Sequence, residues 1–226
     1  MVETIQRMFV TLLSVAVLAP AAFAEDADVV NGKALFKTCV PCHGDTGGGL
    51  SLDDRDGVIY LAPSIAGLPQ WYVDGQLLQF QKGERGAHAG DTQGLRMRPM
   101  SRALTYPGDP ERSERLRVNV SAYIASLPTI APPKTIDGDP ERGKVLYTPC
   151  ISCHGPEAQG NEAVKGPPLA HLNDWYVVNS LEKYKSGMRG GDQANQYGKI
   201  MRAMSMTLAT DEAIRDVASY LRTLGN

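Results

Sequence analysis

The placement of the cysteines constrains this chain more than any other feature. The sequence holds four, and all fall in two units of one pattern, Cys39-Val40-Pro41-Cys42-His43 and Cys150-Ile151-Ser152-Cys153-His154. In an oxidising compartment four cysteines ordinarily make two disulfides, but Cys-x-x-Cys-His is the attachment signature of c-type haem. Cys39, Cys42, Cys150 and Cys153 sit three apart within single helical turns, a spacing suited to thioether bonds with the two vinyl groups of a porphyrin edge. His43 and His154 then point a ring nitrogen at each iron. A zinc site would need further ligands of matched spacing, and the remaining histidines, His88 and His171, do not occupy equivalent positions. A redox dithiol needs one such motif beside a βαβ pattern, which this sequence lacks.

The motif is duplicated because the chain is. Gly32-Lys33-Ala34-Leu35-Phe36 returns as Gly143-Lys144-Val145-Leu146-Tyr147, 111 positions later. Trp71-Tyr72-Val73 returns as Trp175-Tyr176-Val177, and Met97-Arg98-Pro99-Met100-Ser101 as Met201-Arg202-Ala203-Met204-Ser205, at an offset of 104. Tyr123 to Leu127 matches Tyr220 to Leu224 at 97. Order is preserved while the offset shrinks twice, so the first half carries two insertions, around Ser51 to Leu61 and Tyr106 to Arg115. Prolines 128, 132 and 133 mark a semi-stiff linker. The expected plan is a domain over residues 25–128, a linker over 129–136 and a second domain over 137–226.

The fold class expected is all-α, two small helical domains each wrapped around one haem. Asp139-Pro140-Glu141 reads as a helix start. Residues 113–127 and 210–224 show helical spacing, as in Ile214, Val217, Ala218 and Leu221. Two more helices run from the tryptophans to about Lys82 and Lys185.

Met8 to Leu18 is an apolar run ending at Ala22-Phe23-Ala24, a signal-peptidase site, and it is too short to span a bilayer. Residues 1–24 therefore read as a signal peptide cleaved after Ala24, with the mature chain in the periplasm. Its removal takes one acid, Glu3, and one base, Arg7, leaving the net charge at −2. That balance offers nothing to nucleic acid. Peripheral membrane association stays open.

Six methionines follow the signal, and five of them, Met97, Met100, Met201, Met204 and Met206, lie in the two matching boxes. A thioether is a soft neutral ligand that raises the reduction potential of iron, as a carrier requires. Met97/Met201 and Met100/Met204 are both repeated pairs; one can ligate while the other packs on the ring. The first pair stands seven residues before Leu104 and Leu208, and the count favours it. Trp71, Tyr72, Trp175 and Tyr176 can pack on the haem or donate to its propionates, though paired aromatics at helix starts more often form plain core; Arg98 and Arg202 read as propionate partners or solvated cations, and His88 as an exposed loop residue.

These residues together resemble the dihaem cytochrome c4 family, over nearly the whole mature chain: tandem class-I-type cytochrome c domains, each with an early Cys-x-x-Cys-His, a later methionine and a closing helix with tyrosine. The sequence departs from that family in the inserted loops and in a one-residue-longer approach to the last helix. The resemblance implies two covalently bound haem c groups, with His43, Met97, His154 and Met201 as axial ligands. It implies single-electron transport in a respiratory chain between redox protein partners, a quinol-oxidising complex upstream and a terminal oxidase or reductase downstream. The chain is expected to be a carrier and no enzyme. The rival readings are a dihaem redox enzyme, thiosulfate dehydrogenase-like or peroxidase-like, and a cytochrome subunit of a membrane respiratory complex.

Overall fold

Aspartates start four of the ten α-helices among the described residues. Asp28 caps α1 (Val29–Phe36) through the amide of Asn31, Asp109 caps α5 (Pro110–Ser126) through Arg112, and Asp139 caps α6 (Pro140–Leu146) through Glu141 and Arg142. The carboxylate satisfies amides that have no partner inside the helix, and proline fits the first turn because its missing N–H is one of those orphans. Asp109-Pro110-Glu111 repeats the signal at residues 139–141, so α5 begins three residues before the expected Ser113.

The computed structural model describes residues 27–54 and 57–225; the export signal expected over residues 1–24 lies outside them. Between α1 and α5 come α2 (Val40–His43), strands β1 (Leu50–Asp54) and β2 (Gly57–Ala62), α3 (Gln70–Lys82) and α4 (Thr92–Arg102). After α6 come α7 (Ile151–His154), α8 (Asp174–Ser186), α9 (Gln196–Ser205) and α10 (Asp211–Leu224). Among the described residues no helix is long and apolar enough to cross a membrane.

In each half the first and last helices cross at a glycine. A Cβ on Gly32 would stand 2.1 Å from the Asn119 carbonyl oxygen of α5, and one on Gly143 2.0 Å from that of Asp216 in α10. No other residue lets the backbones meet so closely. The crossing is fastened alike in both halves, Asp28 N donating to Asn119 Oδ1 at 2.9 Å and Asp139 N to Asp216 Oδ1 at 2.8 Å. Beside it Phe36 packs on Tyr123, ring centroids 5.2 Å apart, and Tyr147 on Tyr220 at 5.6 Å. Ile214, Val217, Ala218 and Leu221 are buried with Tyr147 and Leu208, as their spacing predicts, and Val120 and Ile124 are buried with Phe36, Val73 and Leu77.

The frame is all-α, but the first insertion is not a plain loop. β1 and β2 pair antiparallel, Ser51 opposite Tyr60. Val58-Ile59-Tyr60 is a β-branched and aromatic run, which favours a strand, and the Tyr60 ring stacks on Trp175 of the second half, centroids 4.8 Å apart and planes 14° from parallel. The second insertion is the loop before α5, where Arg112 lies 3.7 Å over the Tyr106 ring. The linker is anchored at its end: Thr135 N and Ile136 N donate to buried Asp174 Oδ2 at 2.8 and 3.0 Å.

Candidate functional site

Each Cys-x-x-Cys-His unit closes a short helical turn whose histidine is buried and oriented by a backbone carbonyl. His43 Nδ1 lies 2.9 Å from the Pro63 oxygen, and His154 Nδ1 2.8 Å from the Pro167 oxygen. A carbonyl only accepts, which puts the proton on Nδ1 and leaves the Nε2 lone pair free for a metal. Burial holds both imidazoles below the usual histidine range, opposed in part by those carbonyls, and so favours the neutral, ligating form. Pro63 and Pro167 escaped the sequence reading, although both stand eight residues before the repeated tryptophans, at the same offset of 104.

No disulfide joins Cys39, Cys42, Cys150 and Cys153. Burial pushes the Cys39 and Cys150 thiols up, the reverse of what a nucleophilic redox dithiol needs. The two matched methionine pairs face them. Met97 and Met100 of α4 line one cavity with Cys39, Cys42 and His43; Met201 and Met204 of α9 line the other with Cys150, Cys153 and His154. Met97, Met201 and Met204 are half-buried, whereas Met100 is 42% exposed. Met206 is exposed. His171 is no counterpart of a ligand: it takes a left-handed backbone, φ 67°, where the first half has Gly67 at 72°.

Arg98 and Arg202 have a role that the sequence left open. The ends of α3 and α8 turn on left-handed Gly83 and Gly187, φ 78° and 79°. The Arg98 guanidinium lies so near Gly83 that a Cβ there would sit 2.8 Å from Nη2, and Arg202 stands likewise 3.1 Å from one on Gly187. A cation at a helix C-terminus is favourable, and each arginine of a methionine helix lies against the end of the preceding one. His88 is exposed, as expected, and its Nδ1 accepts from Gly90 N at 3.0 Å.

The aromatic residues correct the reading as plain core, for each half completes the other's cavity. Trp175 lines the first cavity and Trp71 the second, while Tyr72, Gln76, Tyr176 and Ser180 border both. Arg85 donates to Gln76 Oε1 at 2.6 Å and across the boundary to Tyr176 Oη at 3.0 Å; Arg189, buried, donates to Gln76 Oε1 at 3.0 Å. Burial raises the Tyr72 hydroxyl well above its ordinary value. Burial acts on Tyr176 in the same sense, but the facing guanidinium groups of Arg85 and Arg189 outweigh it and bring that hydroxyl down.

The cavities, about 210 Å³ in the first half and 510 Å³ in the second, are lined mainly by apolar groups. Two thiols, an imidazole with Nδ1 already engaged and a facing thioether are the donor set that a c-type haem takes, so the residues fit that group. The Cytochrome c family profile matches residues 29–128 and, a second time, 140–225.

The chain belongs to the cytochrome c family. Each matched stretch holds one Cys-x-x-Cys-His unit, and this cytochrome binds two covalent haem c groups. It is 27% identical to cytochrome c4 of Azotobacter vinelandii over 94% of this chain and 96% of that one. It is 28% identical to the thiosulfate dehydrogenase electron acceptor of Thiomonas intermedia, over 95% and 93%. The reduced cytochrome c4 of Pseudomonas stutzeri superposes with a TM-score of 0.63 at 22% identity, covering 87% of this chain and 98% of that structure, which establishes a shared fold.

Proposed function

We propose that this cytochrome is a periplasmic carrier of single electrons, in which Cys39, Cys42, Cys150 and Cys153 hold the haems and His43, Met97, His154 and Met201 close the irons. The observation that carries this reading is that both cavities are lined by the same two parts, a carbonyl-tethered imidazole and a methionine helix. A haem so enclosed supplies a one-electron iron couple. The chain does the rest: Pro63 and Pro167 hold the imidazole planes, α4 and α9 hold the thioethers, and the apolar walls keep water from the iron. Were a histidine and a methionine both to hold the iron, no position on it would be left for a substrate. Met97 is preferred over Met100 because it packs against the first core while Met100 is 42% exposed, and Met201 is preferred over Met204 as the repeat counterpart of Met97.

The two cavity mouths differ, which suits a carrier with two partners. Tyr197 and Ile200 line the second cavity and are 41% and 52% exposed, an apolar rim, while their repeat counterparts Gln93 and Arg96 line the first. Docking of redox proteins at these rims would bring electrons in at one haem and out at the other. The similarity to an electron acceptor of thiosulfate dehydrogenase favours a carrier over an enzyme. The test is ligand access. The ferric protein should be low-spin and slow to bind cyanide, and should take up one electron per haem reversibly; a high-spin haem that binds cyanide rapidly, with thiosulfate oxidised catalytically, would establish an enzyme instead.

A further inference from the structure

The methionine helix of the first domain is gripped by the second domain. Asp91 caps α4, its Oδ1 accepting from Gly94 N at 3.0 Å. The same oxygen pairs with Lys183 Nζ of α8 at 2.6 Å, with the Asp91 and Lys183 side chains only 3% and 16% exposed. Lys183 Nζ also donates to Gln93 Oε1, in the first turn of α4, at 2.8 Å. One ammonium thus closes on both the cap and the first turn of the helix that carries Met97. Burial alone would raise the Asp91 carboxyl, but the hydrogen bonds from Lys183 and Gly94, with the Lys183 and Arg85 charges, hold it below its ordinary value.

Among the described residues the second domain has no such grip. At the repeat offset of 104, Asp91, Gln93 and Lys183 correspond to Asn195, Tyr197 and Gln79. Asn195 still caps α9, accepting from Gly198 N at 3.0 Å, but it carries no charge for a partner to hold. Asparagine and aspartate cap equally well, so the carboxylate at residue 91 is surplus to capping and is accounted for by Lys183. Losing one member of a pair this buried strands the other's charge.

We propose that Lys183 and Asp91 form an interdomain latch that positions α4, so that the second domain sets how firmly the first haem alone keeps its methionine. This rests on the reading that α4 supplies that ligand. Lys183 and Asp91 act through α4 and are positioning residues. The test uses the full dihaem protein with Lys183→Met, Asp91→Asn and Lys183→Arg, reading the methionine-to-ferric-iron charge-transfer band against pH and the midpoint potential of each haem. Asp91→Asn copies the natural cap of α9, so the start of α4 keeps its cap.

In both charge-removing variants the half of the band that belongs to the first haem should disappear at lower pH than in the unaltered protein. The other half should titrate unchanged, and Lys183→Arg should restore most of the loss. Simple electrostatics would act differently, lowering the first potential in Lys183→Met and raising it in Asp91→Asn with the band intact; that pattern, or no change in either variant, overturns the latch. Met97→Ala and Met100→Ala serve as the reference. If neither removes half of the band, the ligand reading fails, whereas a half lost in Met97→Ala beside an undisturbed Lys183→Met refutes only the latch.

Discussion

At the scale of the residue, the chemistry lies in atoms whose partners are fixed. His43 and His154 offer Nε2 because Pro63 and Pro167 occupy Nδ1. Replacing Met97 or Met201 by Ala should leave both haems covalently attached and turn one of them high-spin or misligated with a lowered potential, as optical spectra and potentiometry would show. Unchanged spectra in both variants would move the ligands to Met100 and Met204. Arg189→Gln removes a buried cation from the wall of the second cavity and should lower the potential of the second haem, because a nearby positive charge favours the ferrous state. The haem-attaching residues were legible in the sequence because their chemistry needs fixed spacing. The carbonyl of Pro63 was hidden, since any residue has a carbonyl and only the fold decides which one reaches a histidine. The shared border of Tyr72 and Tyr176 was hidden for a related reason: an aromatic residue on an amphipathic helix reads the same whether it meets its own core or a neighbour's cofactor.

At the scale of the element, helix starts and apolar stripes were legible because caps and periodicity are local. The hairpin β1–β2 was read as an insertion but not as strands, for its alternation is short and its packing partner, Trp175, lies in the other half. The crossings of α1 with α5 and α6 with α10 turn on one glycine each. Gly143→Ala forces a Cβ against the backbone of Asp216 and should cost about 1–3 kcal/mol, the usual range for overpacking, seen as a lowered denaturant midpoint for the second domain.

At the scale of the whole molecule, the duplication explains the plan and its departures explain the asymmetry. Tyr60 on Trp175, Ser64 N on Asn173 Oδ1 at 2.7 Å and Lys183 on Asp91 tie the halves together, and the counterpart of Trp175, Trp71, is covered by the Lys165 ammonium instead of a ring. Tyr60→Ala should weaken the interface by about 0.5–1.5 kcal/mol, read as separation of the unfolding transitions of the two domains. Asp91 has its carboxyl held below the ordinary value, so its contribution is complete above the unfolded carboxyl pKa of about 4 and is lost as pH falls through the lower folded value. Acid should therefore loosen the interface, and Asp91→Asn should flatten that acid limb in unfolding experiments. The central claim is that both irons are closed by histidine and methionine, and it is tested most directly by a spectroscopic redox titration that resolves each haem. Two reversible one-electron waves, with the methionine charge-transfer band arising from both ferric haems, are expected. A haem that is high-spin when ferric, or that shows no such band, would contradict it.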